Sequence, residues 1–231
     1  MRNGMSTVLA VLSIALQAYA GDVTGKVSFE GTPPKPVRIM TNADPKCMVN
    51  HQGPMYSEDV VVNKNNTLKN VIVYVKDGLG NKTFSPPAQK AIFDQKGCEY
   101  VPHVLAVQVG QEVEIKNDDP TLHNVHALSK ENAQFNIAQP KQGMTMIKKF
   151  DKPETFKVKC EVHPWMSAYI GVFNNPHFAV TGDDGTFTLK SLPPGEYTIE
   201  AWHERYGTRT AKVKVDRTGS VAANFSFGPS K

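Results

Sequence analysis

Short stretches in which apolar and polar residues alternate recur along this chain of 231 residues, and they constrain its fold more than any other feature. A period of two places one side of an extended segment against a core and the other side in solvent. Clusters of Gly, Pro, Asn and Asp separate the stretches, as turn residues do between strands, and helical periodicity is nearly absent. Residues 39–57 carry little pattern and are predicted to form a loop, pinned through Cys47. The pattern predicts an all-β sandwich or barrel with strands near residues 23–29, 71–75, 104–109, 113–115, 156–158, 187–189, 197–201 and 211–215.

The first twenty residues have the composition of an export signal. Arg2 supplies positive charge, residues 7–16 form a short apolar stretch, and Ala18-Tyr19-Ala20 is a small-residue cleavage site. The apolar stretch is too short to span a bilayer as a helix, although an N-terminal anchor helix is the alternative. No later stretch is apolar enough to cross a membrane. We therefore expect a periplasmic or secreted mature protein without stable membrane insertion.

The three cysteines are an odd number for an exported chain. In an oxidising compartment this count suggests one disulfide and one thiol with another role. Because Cys160 lies among potential metal ligands, Cys47 and Cys98 are the natural pair. Such a bridge would stabilise the fold by roughly 4 kcal/mol, since it closes a loop of about fifty residues. The alternatives are that one or both cysteines are unpaired, or that Cys98 joins a metal site.

Four potential ligands of a soft metal ion lie in two short segments. Cys160, His163 and Met166 form one segment, and His123 follows the turn at residues 117–120 in the other. A thiolate, two imidazoles and a thioether are the ligand set of a mononuclear blue copper site. We therefore predict one copper ion bound by all four residues. Zinc is the competing metal, although Met is a poor zinc ligand.

The sequence around these ligands resembles the cupredoxins of the plastocyanin and azurin type, with a short ligand loop like that of amicyanins. The similarity covers residues 98–173 and depends on V-Q-V-G at 107–110, V-E-I-K-N at 113–117, H-N-V at 123–125 and the loop at 160–166. It implies a Greek-key β-sandwich that holds the copper ion with the four ligands already named. It also implies that Asn124 joins the two ligand loops through a hydrogen bond, which would hold the ligands in a fixed geometry.

A second resemblance covers the two ends of the chain. Residues 183–204 contain a Gly turn, a strand, a Pro-Pro-Gly turn and another strand, in the order found in β-sandwiches of the transthyretin-like, carboxypeptidase-regulatory type. The cupredoxin domain would be inserted in this sandwich or packed beside it, and insertion is tolerated at exposed loops. A single enlarged cupredoxin sandwich is the alternative. The predicted division is a signal peptide at 1–20, a transthyretin-like sandwich at 21–88 and 176–231, and a cupredoxin domain at 89–175.

The predicted function is the transfer of single electrons between redox protein partners. His163 should be the most exposed ligand because it lies on the short loop, and Pro164 and Trp165 would form an uncharged docking surface near it. The alternatives are a copper-handling protein and a non-catalytic scaffold module. Cys98, His103 and His126 could also build a second metal site; otherwise these histidines lie at the surface or in hydrogen bonds.

Two classes of function are disfavoured. The net charge is +4 and the basic residues are scattered, which argues against nucleic-acid binding. Catalysis is not expected either, because the chain has no His-Cys-His run to couple a blue site to further copper ions and no G-x-S-x-G motif. A binuclear copper centre would need two cysteines in the ligand loop, which contains one.

Overall fold

The computed structural model of the chain describes residues 20–50 and 53–229. The predicted all-β class is confirmed, since strands separated by turns make up almost all of the regular structure in these ranges. The predicted signal peptide, residues 1–20, lies outside the described residues apart from Ala20. Across the described ranges, none of the helices has the length and apolar character that crossing a membrane would require.

The described residues form one short helix and nineteen strands. In chain order they are β1 (Gly21–Phe29), β2 (Arg38–Ile39), α1 (Pro45–Asn50), β3 (Met55–Tyr56), β4 (Ile72–Asp77), β5 (Ala91–Gln95), β6 (Tyr100–Val101), β7 (Val104–Gln108), β8 (Val113–Asn117), β9 (His123–Ala127), β10 (Phe135–Gln139), β11 (Met144–Lys148), β12 (Glu154–Lys159), β13 (Ser167–Phe173), β14 (Phe178–Val180), β15 (Thr186–Leu192), β16 (Gly195–His203), β17 (Gly207–Val215), β18 (Ser220–Ala222) and β19 (Phe225–Phe227).

The two ends of the chain form one sandwich. One sheet has the strand order β15-β1-β18, with β19 also paired to β1, and the other has the order β14-β4-β16-β17. The alternating residues of these strands meet between the sheets, as Val23 and Val27 of β1 do with Ile199 and Ala201 of β16. The period of two in the sequence therefore corresponds to a buried face on each sheet.

The middle of the chain forms a second sandwich with its own core. Its sheets have the strand orders β10-β9-β12-β13-β7 and β11-β8-β5-β6. Phe93, Ile115, Val125, Val158 and Ile170 meet between these sheets, and each is fully or almost fully buried. Because β5 to β13 pair among themselves, residues 91–173 form a separate pair of sheets between β4 and β14 of the first sandwich.

A third hydrophobic cluster joins the two sandwiches. Ile72 of β4 packs with Val104 of β7 and Phe173 of β13, and all three are buried. The contact is close because β13 carries Gly171: a Cβ atom at this position would lie 2.7 Å from the Ile72 Cδ1 atom. A larger residue there would push the sandwiches apart or displace the packed isoleucine.

The segment around Cys47 is more ordered than the loop predicted for residues 39–57, and that expectation is in part wrong. β2 pairs with β3, and α1 begins after Asp44, whose Oδ1 atom accepts a hydrogen bond of 2.8 Å from the Lys46 N–H. Asp at the N-cap followed by Pro45 at the first helical position is a common helix start. The disulfide between Cys47 and Cys98 is confirmed, and it fastens α1 to the turn between β5 and β6.

Candidate metal centre

The first ligand segment is the turn that leads into β9. The Asn117 side chain donates to the backbone carbonyls of Thr121 and Gln139, at 2.9 and 2.8 Å, and its Oδ1 accepts from the Asp119 N–H. This turn holds His123 as the first residue of β9, fully buried at the end of the sandwich.

The second ligand segment connects β12 to β13. The Cys160 N–H donates to the Met166 carbonyl at 3.1 Å, and the Met166 N–H donates to the His163 carbonyl at 2.9 Å. The His163 N–H points back to the Cys160 sulfur, 3.4 Å away. Because these bonds close the loop on itself, they fix the backbone that carries the three side chains.

The structure brings three of the four predicted ligands together. The Nδ1 atoms of His123 and His163 are 2.9 Å apart, and the Cys160 Sγ atom is 3.9 Å from the His163 Nδ1 atom. The donor atoms of all three residues lie within 4.8 Å of one another, and all three residues are buried. Two donors that share an ion at about 2.0–2.3 Å each must lie within about 4.5 Å of each other, and both measured separations meet this limit.

Met166 lies at the end of the same loop. It is 2% exposed and packs in the same hydrophobic cluster as Cys160. The thioether is therefore shielded from water. Its role as a fourth ligand stays a prediction.

Two carboxylates hold the outward-facing nitrogens of the histidines. His123 Nε2 is 2.9 Å from Asp119 Oδ2, and His163 Nε2 is 3.0 Å from Asp44 Oδ2. A carboxylate accepts but does not donate, so each Nε2 carries a proton, and Nδ1 is the ring nitrogen that faces the cluster. Such carboxylate partners fix the orientation of an imidazole and raise its basicity as a ligand.

The sequence analysis did not identify either carboxylate. Asp119 follows the Asn117–Asp118 turn and precedes His123 by four residues, so the turn itself was the available signal. The signal for Asp44 was the Asp-Pro pair that starts α1. Its distance of more than one hundred residues from His163 in sequence concealed their contact.

Asn124 connects the two ligand loops. Its Oδ1 atom accepts a hydrogen bond of 2.5 Å from the Glu161 N–H, and its Nδ2 group donates to the side chain of Asn136. The hydroxyl of Tyr100 donates to the Asn124 carbonyl at 2.6 Å. The residue next to His123 is thereby tied to the residue next to Cys160.

The electrostatics of the cluster favour a thiolate. Burial alone would raise the pKa of Cys160, but hydrogen bonds from the imidazoles of His123 and His163 outweigh it and lower this pKa to about 5. Burial of His123 opposes its protonated form, yet the hydrogen bonds to Asp119 and Cys160 raise the pKa of His123. The Cys160 sulfur is therefore ionised at neutral pH, and ionised sulfur is the form that binds metals.

The expectation that His163 is the most exposed ligand is wrong. His163 is 2% exposed, and its outer edge is covered by Asp44 and by Cys47, whose sulfur lies 3.6 Å from His163 Nε2. The Trp165 ring lies beside it, with 5.0 Å between the ring centroids. The physical cause is the disulfide, which holds the start of α1 over the ligand loop.

The possible second site at Cys98, His103 and His126 does not form. The Cys98 sulfur is bonded to Cys47. The imidazole of His103 pairs with Glu204 of the other sandwich, and His126 Nδ1 lies 2.6 Å from Glu161 Oε1. Both histidines therefore have carboxylate partners. This agrees with the alternative given in the sequence analysis, in which these histidines form hydrogen bonds and bind no metal.

Comparisons with known proteins found one family model and a set of similar solved structures. The family model of the carboxypeptidase regulatory-like domain matches residues 164–228. No curated protein matches the chain.

Similar solved structures include a copper-containing nitrite reductase from Thermus scotoductus SA-01, with 24% identity and a TM-score of 0.34, which covers 42% of this chain. The chain spans only 25% of that enzyme's length. A purple cupredoxin from Nitrosopumilus maritimus has 24% identity and a TM-score of 0.31, with 36% of this chain and 98% of the other covered. A Cu(I) structure of an amicyanin variant has 21% identity and a TM-score of 0.33, with 43% and 97% covered.

Proposed function

We propose that this chain is an exported, non-catalytic electron carrier that binds one copper ion through His123, Cys160, His163 and Met166. The observation that carries the proposal is the convergence of the Cys160 sulfur with the Nδ1 atoms of both histidines in a buried cluster. A copper ion bound there would supply one-electron chemistry by cycling between Cu(I) and Cu(II).

The chemistry of the donors favours copper. A thiolate and a thioether are soft ligands, and a His2Cys set with a weak Met ligand is typical of blue copper sites. Structural zinc sites instead use four ligands drawn from cysteine, histidine and carboxylate. In this cluster the carboxylates of Asp44 and Asp119 hydrogen-bond to the outer nitrogens of the histidines, so they support the ligands without joining the inner set.

The protein's own hydrogen bonds suit fast electron transfer. The ligand loop is closed by backbone bonds, each histidine is held by a carboxylate, and Asn124 ties the two loops together. Side chains held in this way change position little when the charge of a bound ion changes, which keeps the cost of reorganisation low.

Redox partners would dock over the two ligand loops near His163. Leu122 is 40% exposed beside His123, and Val162 is 43% exposed beside His163. Pro164 is also exposed on the second loop. Because His163 is covered, electrons would pass through this apolar surface rather than through an exposed ring edge, and small interfaces of this kind suit brief redox encounters.

The test is the spectrum of the copper-loaded protein, recorded by visible absorption and paramagnetic resonance. We expect an intense thiolate-to-copper absorption band and reversible voltammetry in the wild type, and loss of the band in Cys160→Ser. His126→Gln is the matched control, since His126 is an imidazole outside the cluster, and it should keep the band. Retention of the band in Cys160→Ser would refute the ligand assignment, and colourless Cu(I) that does not cycle would instead indicate copper handling.

A further inference from the structure

The outer side of His163 faces a second group of metal-binding atoms. The Nε2 atom of His163 lies 3.6 Å from the Cys47 sulfur and 3.0 Å from Asp44 Oδ2. The sulfurs of Cys47 and Cys98 and a nitrogen of His163 all lie within 4.8 Å of one another. This group is separate from the inner cluster, because the inner cluster uses the opposite nitrogen of the His163 ring.

The separations in this outer group are close to those around a tetrahedral ion. With metal–sulfur bonds of about 2.3 Å and metal–nitrogen and metal–oxygen bonds of about 2.0 Å, tetrahedral geometry places sulfur and nitrogen donors about 3.5 Å apart and nitrogen and oxygen donors about 3.3 Å apart. The measured values are 3.6 and 3.0 Å. The disulfide bond occupies both sulfurs, so they can bind an ion only after that bond is reduced.

The surroundings favour a positive ion. The Asp44 carboxylate is held in place: its Oδ2 atom accepts a hydrogen bond of 2.9 Å from the Thr121 hydroxyl, and its Oδ1 atom accepts one of 2.8 Å from the Lys46 N–H. The Cys98 sulfur also lies within 4.8 Å of an Asp119 oxygen and a His123 nitrogen. Two carboxylates therefore border the disulfide, and the Asp44 side chain keeps 20% of its surface exposed as a route of entry.

We propose that Cys47 and Cys98, once their disulfide is reduced, form with Asp44 and the Nε2 atom of His163 a second site that binds a zinc-like divalent cation. A dithiol reductant supplies two electrons and two protons; the sulfur–sulfur bond breaks, two thiols form, and the reductant becomes a disulfide. The cation then displaces both thiol protons, and the ring proton of His163 moves from Nε2 to Nδ1, so that Nε2 can bind the cation through its lone pair. Two thiolates, one imidazole and one carboxylate are a ligand set that zinc accepts.

This site makes the metal content of the chain depend on the redox state of its thiols. In the oxidised chain the disulfide holds α1 over His163, and the outer donors are unavailable. In the reduced chain the bound cation replaces the disulfide as the link between α1 and the turn at Cys98. The inference does not depend on the proposed copper site, because Cys160 takes no part in it.

The experiment uses the full chain with Cys160→Ser, which removes the inner thiolate and leaves the outer group intact. The protein is unfolded, reduced with a phosphine and refolded with Zn²⁺, and bound zinc is counted by elemental analysis after gel filtration. A parallel sample is carried through with its disulfide intact. The matched control carries Cys47→Ser and Cys98→Ser in addition, and a further variant carries Asp44→Asn.

We expect one zinc ion per reduced chain, none in the oxidised chain and none in the control that lacks both cysteines. Asp44→Asn should weaken zinc binding at least about tenfold, because a supporting carboxylate ligand is lost. This variant separates a folded site from binding to two loose thiols, which would be indifferent to Asp44. The proposal is overturned if the reduced chain takes up no zinc, whether or not it has refolded. It is also overturned if Asp44→Asn leaves the zinc affinity unchanged. The copper spectrum of the disulfide-bonded protein is measured independently, so failure of one proposal does not decide the other.

Discussion

Replacing Asp44 with Asn should raise the reduction potential of the copper-loaded protein. The substitution keeps the shape of the side chain and an oxygen that can accept the hydrogen bond from His163 Nε2, but it removes one negative charge. That charge lies 3.0 Å from Nε2. Allowing about 2 Å for the ring and about 2 Å for a bond from the opposite nitrogen, the carboxylate acts on a bound ion from about 7 Å.

The size of the effect follows from this distance. At an effective dielectric constant of about 20, one unit charge at about 7 Å stabilises an extra positive charge by about 2 kcal/mol. For a one-electron couple this corresponds to a rise in potential of about 90 mV when the carboxylate is removed. The direction is upward because the lost negative charge stabilised the oxidised ion more than the reduced ion.

Voltammetry of the wild type, Asp44→Asn and a matched control measures this shift. The control is Asp183→Asn, which makes the same change of charge in the sandwich that does not carry the metal ligands. The Asp183 side chain is 87% exposed and forms an ion pair with Lys69. Its potential should not move. A shift in Asp44→Asn below about 20 mV, a quarter of the Coulomb estimate, or a shift downward would refute the argument that this carboxylate acts on the metal through His163.

Three further predictions concern stability and ionisation. Replacing both Cys47 and Cys98 with Ser should lower the free energy of unfolding by about 4 kcal/mol in denaturant titrations, because the disulfide spans 51 residues of sequence; a loss below about 1 kcal/mol would contradict this. In the metal-free protein the thiolate absorbance of Cys160, measured against Cys160→Ser, should titrate near pH 5 rather than near 9. Since folding lowers that pKa, the stability that the thiolate contributes is complete above pH 9 and is lost as the pH falls through about 5. A midpoint of the absorbance titration above pH 8 would contradict this prediction. Gly171→Ala should destabilise the fold by about 1–3 kcal/mol, because the added Cβ would lie 2.7 Å from a buried isoleucine of β4. Gly182→Ala is the control: its added Cβ meets open space, so it should change the free energy of unfolding by less than about 0.5 kcal/mol.

Local patterns in the sequence predicted the fold class because alternation and turn residues are short-range signals. The stretch at residues 197–201 alternates, and it became part of β16 with Ile199 and Ala201 in the core. The same reasoning failed for residues 39–57. There the ordered elements are two strands of two residues and one helix of six, which are too short to show a period.

The turn that carries Cys98 shows a second limit of such reasoning. Gly97 and Cys98 both have positive φ angles, of 67° and 57°, and the Asp119 carboxylate accepts the N–H groups of both residues. A left-handed cysteine is unfavourable by itself. It is held here by a carboxylate that is distant in sequence and by the disulfide, so no local pattern could predict it.

The sequence by itself determined the all-β class, the pairing of Cys47 with Cys98 as the favoured disulfide, and the choice of candidate ligands. These follow from residue types and short spacings, which are properties of the chain alone. The tertiary structure decided what surrounds the ligands: Asp44 and the disulfide cover His163, and Asp119 holds His123. Burial and long-range contacts depend on how distant segments pack, and for that reason an imidazole expected at the surface lies beneath a helix start that precedes it by more than one hundred residues.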